Sequence, residues 1–319
     1  TDAGGKQALK EALSAHYQNR YGVQVDPFRI VVTTGSSAGF TLAFLASLDV
    51  GARVAIARPG YPAYRNIIAA LGLEVVEIET HQSDRHRISP AMLEAAGPLD
   101  AILVASPANP TGTMLEPQAL RELLAWCEGQ GVRFISDEIY HGLTYAGAPR
   151  EVTALATSDQ AIIVNSFSKY FCMTGWRVGW LVLPEHLVRP VERLAQSLFI
   201  SAPDLSQTAA LHALNASEEL ERVKQGYAAN RDLLMKRLPE LGFRDIAPVD
   251  GAFYIYADAG SLTKDTMHFA HDLLDRERVA ITPGADFDPQ RGGQTVRFSF
   301  AGSSEEMVRA LDGIERYLA

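Results

Sequence analysis

Cysteine is almost missing from this chain: 319 residues contain two, Cys127 and Cys172. Two thiols cannot build a disulfide framework, or a zinc cage unaided, so a reducing, cytoplasmic setting is the default expectation. Long apolar runs are missing too. Phe40–Leu48 stops at Asp49, far short of the ~20 residues that cross a bilayer. Positive charge is in deficit, with 29 Lys and Arg against 38 Asp and Glu and a net charge of −9. Nucleic acid and anionic membrane are therefore poor partners, because phosphate binding draws on a basic field. No internal repeat, low-complexity tract or flexible linker stands out, and no signal-peptide pattern follows Thr1, where a chain that opens without methionine could have lost one.

What remains is an ordinary globular composition, 47% hydrophobic and 21% charged, with length for two domains or one large one. Apolar runs at Val54–Ala57, Val75–Ile78, Ala101–Ala105, Phe134–Ser136, Ala161–Val164 and Val178–Leu183 predict strands, several of them apolar on both faces. Ser89-Pro90 and Glu116-Pro117 mark helix starts between them. The alternation predicts an α/β, mostly parallel sheet with helices on both faces. After Pro203 the pattern changes to a helix over Glu218–Leu238, strands at Ala252–Tyr256 and Thr295–Phe300, and helices over Met267–Glu277 and from Ser304. This predicts a smaller α+β unit, dividing the chain into 1–225 and 226–319.

Five segments could carry chemistry. Val31–Phe40 runs from apolar residues through Thr33-Thr34-Gly35-Ser36-Ser37 into a helix. Free N–H groups and hydroxyls at a helix start suit a phosphate-sized anion, although a serine cap alone is common. The segment has neither a Gly-x-Gly-x-x-Gly nor a Gly-Lys-[Ser/Thr] string, which weakens dinucleotide and P-loop readings. Ser106-Pro107-Ala108-Asn109-Pro110-Thr111-Gly112 follows a buried strand, where open α/β sheets bind ligands, though the same residues also make plain turns. Asp137, at another strand end, could stay ionised in burial only with a cationic or hydrogen-bonding partner; a solvated strand end is its ordinary alternative. Tyr140 would lie near it if the chain turns helically. Lys169 follows an apolar strand and two serines and precedes Tyr170-Phe171. Most lysines are solvated, but an apolar, partly cationic pocket makes a neutral amine nucleophile able to form a Schiff base. Arg177, between Trp176 and Trp180, could stack or clamp a phosphate. By strand alternation, Arg297 and Ser299 face away from Val296, Phe298 and Phe300.

Taken together, Tyr61-Pro62 in a Pro-x-Tyr loop, Asn109-Pro-Thr-Gly, Asp137-Glu-x-Tyr140, Ser166-x-Ser168-Lys169 and Arg177 resemble the class I/II pyridoxal-phosphate aminotransferases of fold type I, the aspartate aminotransferase superfamily. The likeness runs from Gly35 to Arg177, and Arg297 carries it into the last strand. It implies that fold, pyridoxal 5′-phosphate as cofactor, and amino-group transfer between an L-amino acid and a 2-oxo acid by a ping-pong route. By the same resemblance, Lys169 forms the Schiff base and carries the proton between Cα and C4′. Asp137 partners the pyridine nitrogen, Tyr140 and Asn109 hydrogen-bond the phenolic oxygen, and Tyr61 stacks on the ring. Ser36, Ser37, Ser166, Ser168 and Arg177 cradle the phosphate. Asn109 and Arg297 face the substrate, Arg297 pairing with its α-carboxylate. The family also implies a homodimer with shared active sites. It implies several dozen residues ahead of Thr1 (an arm, a glycine loop, and a tyrosine reaching the partner's phosphate), so the chain is expected to be trimmed or partly unseen.

A Cβ–S lyase on the same fold, or a cofactor-sensing regulatory module, stays open at this point; no basic or helix-turn-helix segment favours the latter. Some dicarboxylate-specific relatives place an arginine shortly after a Ser-x-Pro segment like Ser201-Ala-Pro203. No Lys or Arg lies between Arg193 and Arg222 here, which disfavours aspartate or glutamate as donor. His268 and His271 have His-x-x-His spacing but no third ligand, so no metal is expected. Cys172 has no partner string for a thiolate nucleophile.

Overall fold

The computed structural model describes residues 2–319. Helix α1 (Gln7–Tyr21) ends at Gly22, which takes the left-handed conformation that closes helices at low cost. Then come β1 (Ile30–Thr33), α2 (Gly35–Ser47), β2 (Arg53–Arg58), α3 (Pro62–Ala70), β3 (Glu74–Glu79), α4 (Pro90–Ala95), β4 (Ala101–Ala105), α5 (Pro117–Gln130) and β5 (Arg133–Asp137). The large sheet is completed by β6 (Ile162–Ser166) and β7 (Gly179–Val182). Its order is β1-β7-β6-β5-β4-β2-β3. Strands β3, β2, β4, β5 and β6 pair in parallel, and β7 runs antiparallel to both neighbours.

The alternation of side chains explains the two covering layers. Ile30, Val32, Phe134 and Ile163 enter one core, while Val31, Ile135, Ile162 and Val164 enter the core on the other face. A strand buried on both faces reads as an unbroken apolar run, as these did in the sequence. Prolines 62, 90 and 117 each stand in the first turn of a helix, where a missing N–H costs no bond.

Helices α6 (Glu185–Leu198) and α7 (Asp204–Ala213) lead to the long α8 (Ser217–Glu240). Leu220 near its start packs in the first core; Leu234 and Leu238 near its end pack in a third. That third core lies under β8 (Tyr254–Asp258), α9 (Thr266–Glu277), β9 (Thr282–Pro283), β10 (Thr295–Ser299) and α10 (Ser304–Leu318), whose strands form an antiparallel sheet ordered β8-β10-β9. A reciprocal Ser303–Glu306 capping box fixes the start of α10.

One relationship positions everything that follows. Thr33 and Ser166 both pair with Gly179 of the antiparallel β7, so β1 and β6 point the same way. The carboxyl ends of β1, β4, β5 and β6 therefore open on one edge of the sheet, the edge where such folds bind ligands. No helix among the described residues is long and apolar enough to cross a membrane.

Candidate active site

At one end of this edge, the turn between β1 and α2 meets the loop before β7. Gly35 has φ +78°, and a Cβ there would collide with the Arg177 guanidinium. A Cβ at Gly179 would fall 2.7 Å from Asn165 O and 3.0 Å from Ser36 N. Two glycines thus let an arginine and two backbone segments converge. The cap position of α2 belongs to Thr34, which makes no side-chain cap bond. Ser36 and Ser37 stand inside the first turn, so the helix start is left for an anion rather than closed by a serine. Arg177 has φ +53°, its Nη1 donates to Thr174 O at 2.8 Å, and it remains exposed. Ser166 is buried; its Oγ donates to Val178 O at 3.0 Å, accepts from Ser168 N at 3.1 Å and lies 2.9 Å from Ser168 Oγ.

Beyond this cluster, Asp137 ends β5 and is 3% exposed. Tyr64 donates its hydroxyl proton to Asp137 Oδ2, and Ile139 N donates to Oδ1 at 3.0 Å. Burial outweighs these bonds and pushes the Asp137 carboxyl up to about 6. A carboxylate held there calls for a cation. Lys169 sits above, with Nζ 5.8 Å from the Tyr140 ring centre and 5.5 Å from that of Phe253. Burial pulls its ammonium below the usual lysine range; the Asp137 charge opposes this, and Arg297 and Arg177 reinforce it. Such a lysine reaches its neutral, nucleophilic form more readily. Tyr140 donates to Tyr254 Oη at 3.1 Å, and burial drives its phenol well above the usual value.

The third part joins the two sheets. Arg297 Nη1 donates to Asn109 Oδ1 at 2.9 Å, and Nη2 donates to Thr282 Oγ1 at 3.2 Å. Its guanidinium carbon lies 4.2 Å from the Tyr254 ring centre and 4.7 Å from that of Phe287, a cation–π sandwich. Arg297 Nε is buried without a partner. The strand alternation holds, with Val296 and Phe298 in the core; on the opposite face Ser299 is exposed, while Arg297 is half-buried between Tyr254 and Phe287. Tyr61 precedes α3, 37% exposed and edge-on to Tyr64 at 5.4 Å.

Ser36, Ser37, Tyr61, Asn109, Asp137, Tyr140, Ser166, Ser168, Lys169 and Arg177 thus lie at the ends of, or in segments that follow, β1, β2, β4, β5 and β6 or precede β7 on this edge, and Arg297 reaches Asn109 from β10. Tyr64, Tyr254 and Thr282 were missed. Tyr64 follows Tyr61 by one helical turn, a spacing that could have flagged it; Tyr254 and Thr282 come from distant strands and carry no local signal. His268 and His271 are exposed on α9, and among the described residues no group of three His, Cys, Asp or Glu could hold a metal ion. Burial and Glu219 raise the Cys172 thiol, so its thiolate is disfavoured.

Comparison with known proteins adds an independent line. The family model for aminotransferase class I and II matches residues 1–314. The valine–pyruvate aminotransferase of Mycobacterium tuberculosis is 50% identical over 317 residues, 98% of this chain and 82% of that protein. The (5-formylfuran-3-yl)methyl phosphate transaminase of Methanocaldococcus jannaschii is 33% identical over all of this chain and 83% of its own length. Among solved structures, an aminotransferase from Mycobacterium tuberculosis superposes with a TM-score of 0.98 at 49% identity, covering 100% of this chain and 83% of that one.

Proposed function

This chain belongs to the aminotransferase class I and II family, and from that premise we propose which of its residues perform the pyridoxal-phosphate-dependent transfer of an amino group between an amino acid and a 2-oxo acid. The residues present fit the cofactor. A glycine-lined notch holds an arginine against an uncapped helix start, a buried carboxylate lacks a cation, and a lysine with a lowered pKa feels the charge of both. When bound, pyridoxal phosphate supplies the electron sink that lets a Cα–H bond break.

In this reading Ser36, Ser37, Ser166, Ser168 and Arg177 hold the phosphate through backbone N–H groups, hydroxyls and one guanidinium. Asp137 keeps the ring nitrogen protonated, and Tyr61 covers the ring. Tyr140 and Asn109 donate to the phenolic oxygen. Lys169 Nζ would hold the cofactor through its aldehyde carbon, and the same amine, free once substrate takes that place, would accept the Cα proton and return it on the other side of the transfer. Arg297 leaves Asn109 to grip the substrate carboxylate in a bidentate pair. The observation that carries the reading is that Asp137 and Lys169 at the large-sheet edge meet Arg297 of β10 reaching across from the small sheet, each with unfilled bonding or charge.

The donor class follows from what the substrate would meet. The Arg193–Arg222 interval has no Lys or Arg for a second carboxylate, and a relative at 50% identity is named for valine and pyruvate. The proposed substrates are therefore a neutral, aliphatic L-amino acid and a short 2-oxo acid. Comparing kcat/KM for valine and aspartate with pyruvate as acceptor tests this: valine is expected to lead by at least tenfold, and a lead for aspartate would overturn it. Residues 1–225 are proposed as the cofactor-binding domain and 226–319 as the small domain. A homodimer with shared sites is supported by exposed Leu198, Ile200 and Leu205 around the α6–α7 connection. A cytoplasmic location accords with the scarcity of cysteine.

A further inference from the structure

Behind Asp137 lies a buried set of ionisable groups that none of these roles uses. Glu138 is 1% exposed. Its Oε1 accepts from Ser136 Oγ at 3.2 Å, Thr153 Oγ1 at 3.0 Å and Ala154 N at 2.9 Å. Its Oε2 is buried with no hydrogen-bond partner, and His141 Nδ1 stands 3.5 Å away. The turn that joins His141 N to Glu138 O at 2.9 Å folds the imidazole back over the carboxylate.

The other ionisable groups around His141 are largely balanced among themselves. Tyr21 of α1 places its hydroxyl 2.8 Å from His141 Nδ1. Glu151 Oε1 is 4.0 Å from that nitrogen but is matched by Arg20 at 2.7 Å, while its other oxygen accepts from Gly142 N at 2.7 Å. His16, also on α1, is held neutral by burial, its pKa lowered to about 4. Tyr17, within the field of Glu138, is kept protonated by burial. On the Asp137 side stand Tyr64 and Lys169, already described. Burial raises the Glu138 carboxyl, His141 and the three hydrogen bonds oppose this, and its second oxygen has a single candidate cation. An unbalanced charge in such a place is costly, and it falls directly beside Asp137.

We propose that Glu138 and His141 are positioning residues for transamination: His141, facing the otherwise unpartnered Glu138 oxygen, balances it, and the balanced pair leaves Asp137 free to meet the cofactor's ring nitrogen as a carboxylate. This rests on the reading of Asp137 given above. Without that balance, Glu138 would present Asp137 with a neighbouring negative charge and disfavour its ionisation. Glu138 raises the Asp137 carboxyl and His141 lowers it, the direction such a balance requires.

The test is the affinity for pyridoxal 5′-phosphate, titrated by protein fluorescence as a function of pH, with Asp137→Asn as the reference. In His141→Gln the acid limb of affinity is expected to move up by about one pH unit, the scale of one nearby charge. In Glu138→Gln it should move down, and in the double variant it should return to the parent position. A merely structural role would weaken binding without this reciprocal movement. An unmoved limb in His141→Gln, or a double variant that does not return, would overturn the proposal. If His141→Gln fails to fold, Glu138→Gln decides alone: a downward shift supports the proposal and a static limb refutes it. If Asp137→Asn keeps the parent affinity and pH limb, the assignment of Asp137 itself fails, a result distinct from failure of the pair.

Discussion

Arg297 on β10 donates a hydrogen bond to Asn109 on the loop after β4, at 2.9 Å, bridging the small sheet and the large one. Both partners are proposed to face the substrate, so in this reading each occupies the other's bonding groups until a carboxylate arrives. Arg297→Lys would retain the charge but lose the planar fork and its packing between Tyr254 and Phe287. The Michaelis constants for both amino acid and 2-oxo acid are expected to rise at least about tenfold, the scale of one charged hydrogen bond. Affinity for the cofactor should stay within about twofold. Steady-state kinetics with a parallel cofactor titration checks this; unchanged Michaelis constants would remove Arg297 from the substrate site.

Gly35 offers a sharper steric case. An alanine there meets the Arg177 guanidinium and must also hold φ +78°, which costs a non-glycine residue roughly 1 kcal/mol or more. Because Arg177 is exposed and its side chain can move aside, Gly35→Ala is expected to fold. Its affinity for pyridoxal phosphate should fall by about tenfold or more, as one guanidinium contact is lost. Equilibrium dialysis with the cofactor provides the measurement, and parent-like affinity would show that the notch does not hold the phosphate.

Asp137 makes an opposite prediction for stability. Its carboxyl is raised from 3.8 to about 6 in the folded chain. A raised acid contributes stability that is present below the unfolded pKa and lost as pH rises through the folded one. Above about pH 6 the buried charge therefore costs the cofactor-free protein, by roughly 3 kcal/mol for a shift of about two units. Asp137→Asn should melt higher than the parent at neutral pH without cofactor, and the gap should shrink as pH falls towards 4. Calorimetry across that range reads it directly; a lower melting temperature at neutral pH would contradict the assigned burial cost.

How much of this was legible beforehand depends on the range of the contacts. Runs such as Ala101–Ala105 and Phe134–Ser136 announced themselves because both faces are buried, and proline marked the starts of α4 and α5 at Pro90 and Pro117. The direction of β7 was not legible. The chain between Ser166 and Gly179 is taken up by the Lys169 turn and one 3₁₀ turn over Thr174–Trp176, leaving no crossover helix to return a parallel strand. The site strings could be read because each is local. Tyr64 meeting Asp137, Tyr254 meeting Tyr140, and the unpartnered oxygen of Glu138 could not, since each depends on segments brought together only by folding.

The central claim is that Lys169 is the amine that holds the cofactor. Reductive trapping of the cofactor-loaded protein with borohydride, followed by peptide mass spectrometry, tests it most directly. The reduced pyridoxyl group is expected on the peptide carrying Lys169 and nowhere else, and should be absent from Lys169→Ala. A pyridoxyl group on Lys6, Lys10, Lys224, Lys236 or Lys264, or on Lys169→Ala itself, would contradict it.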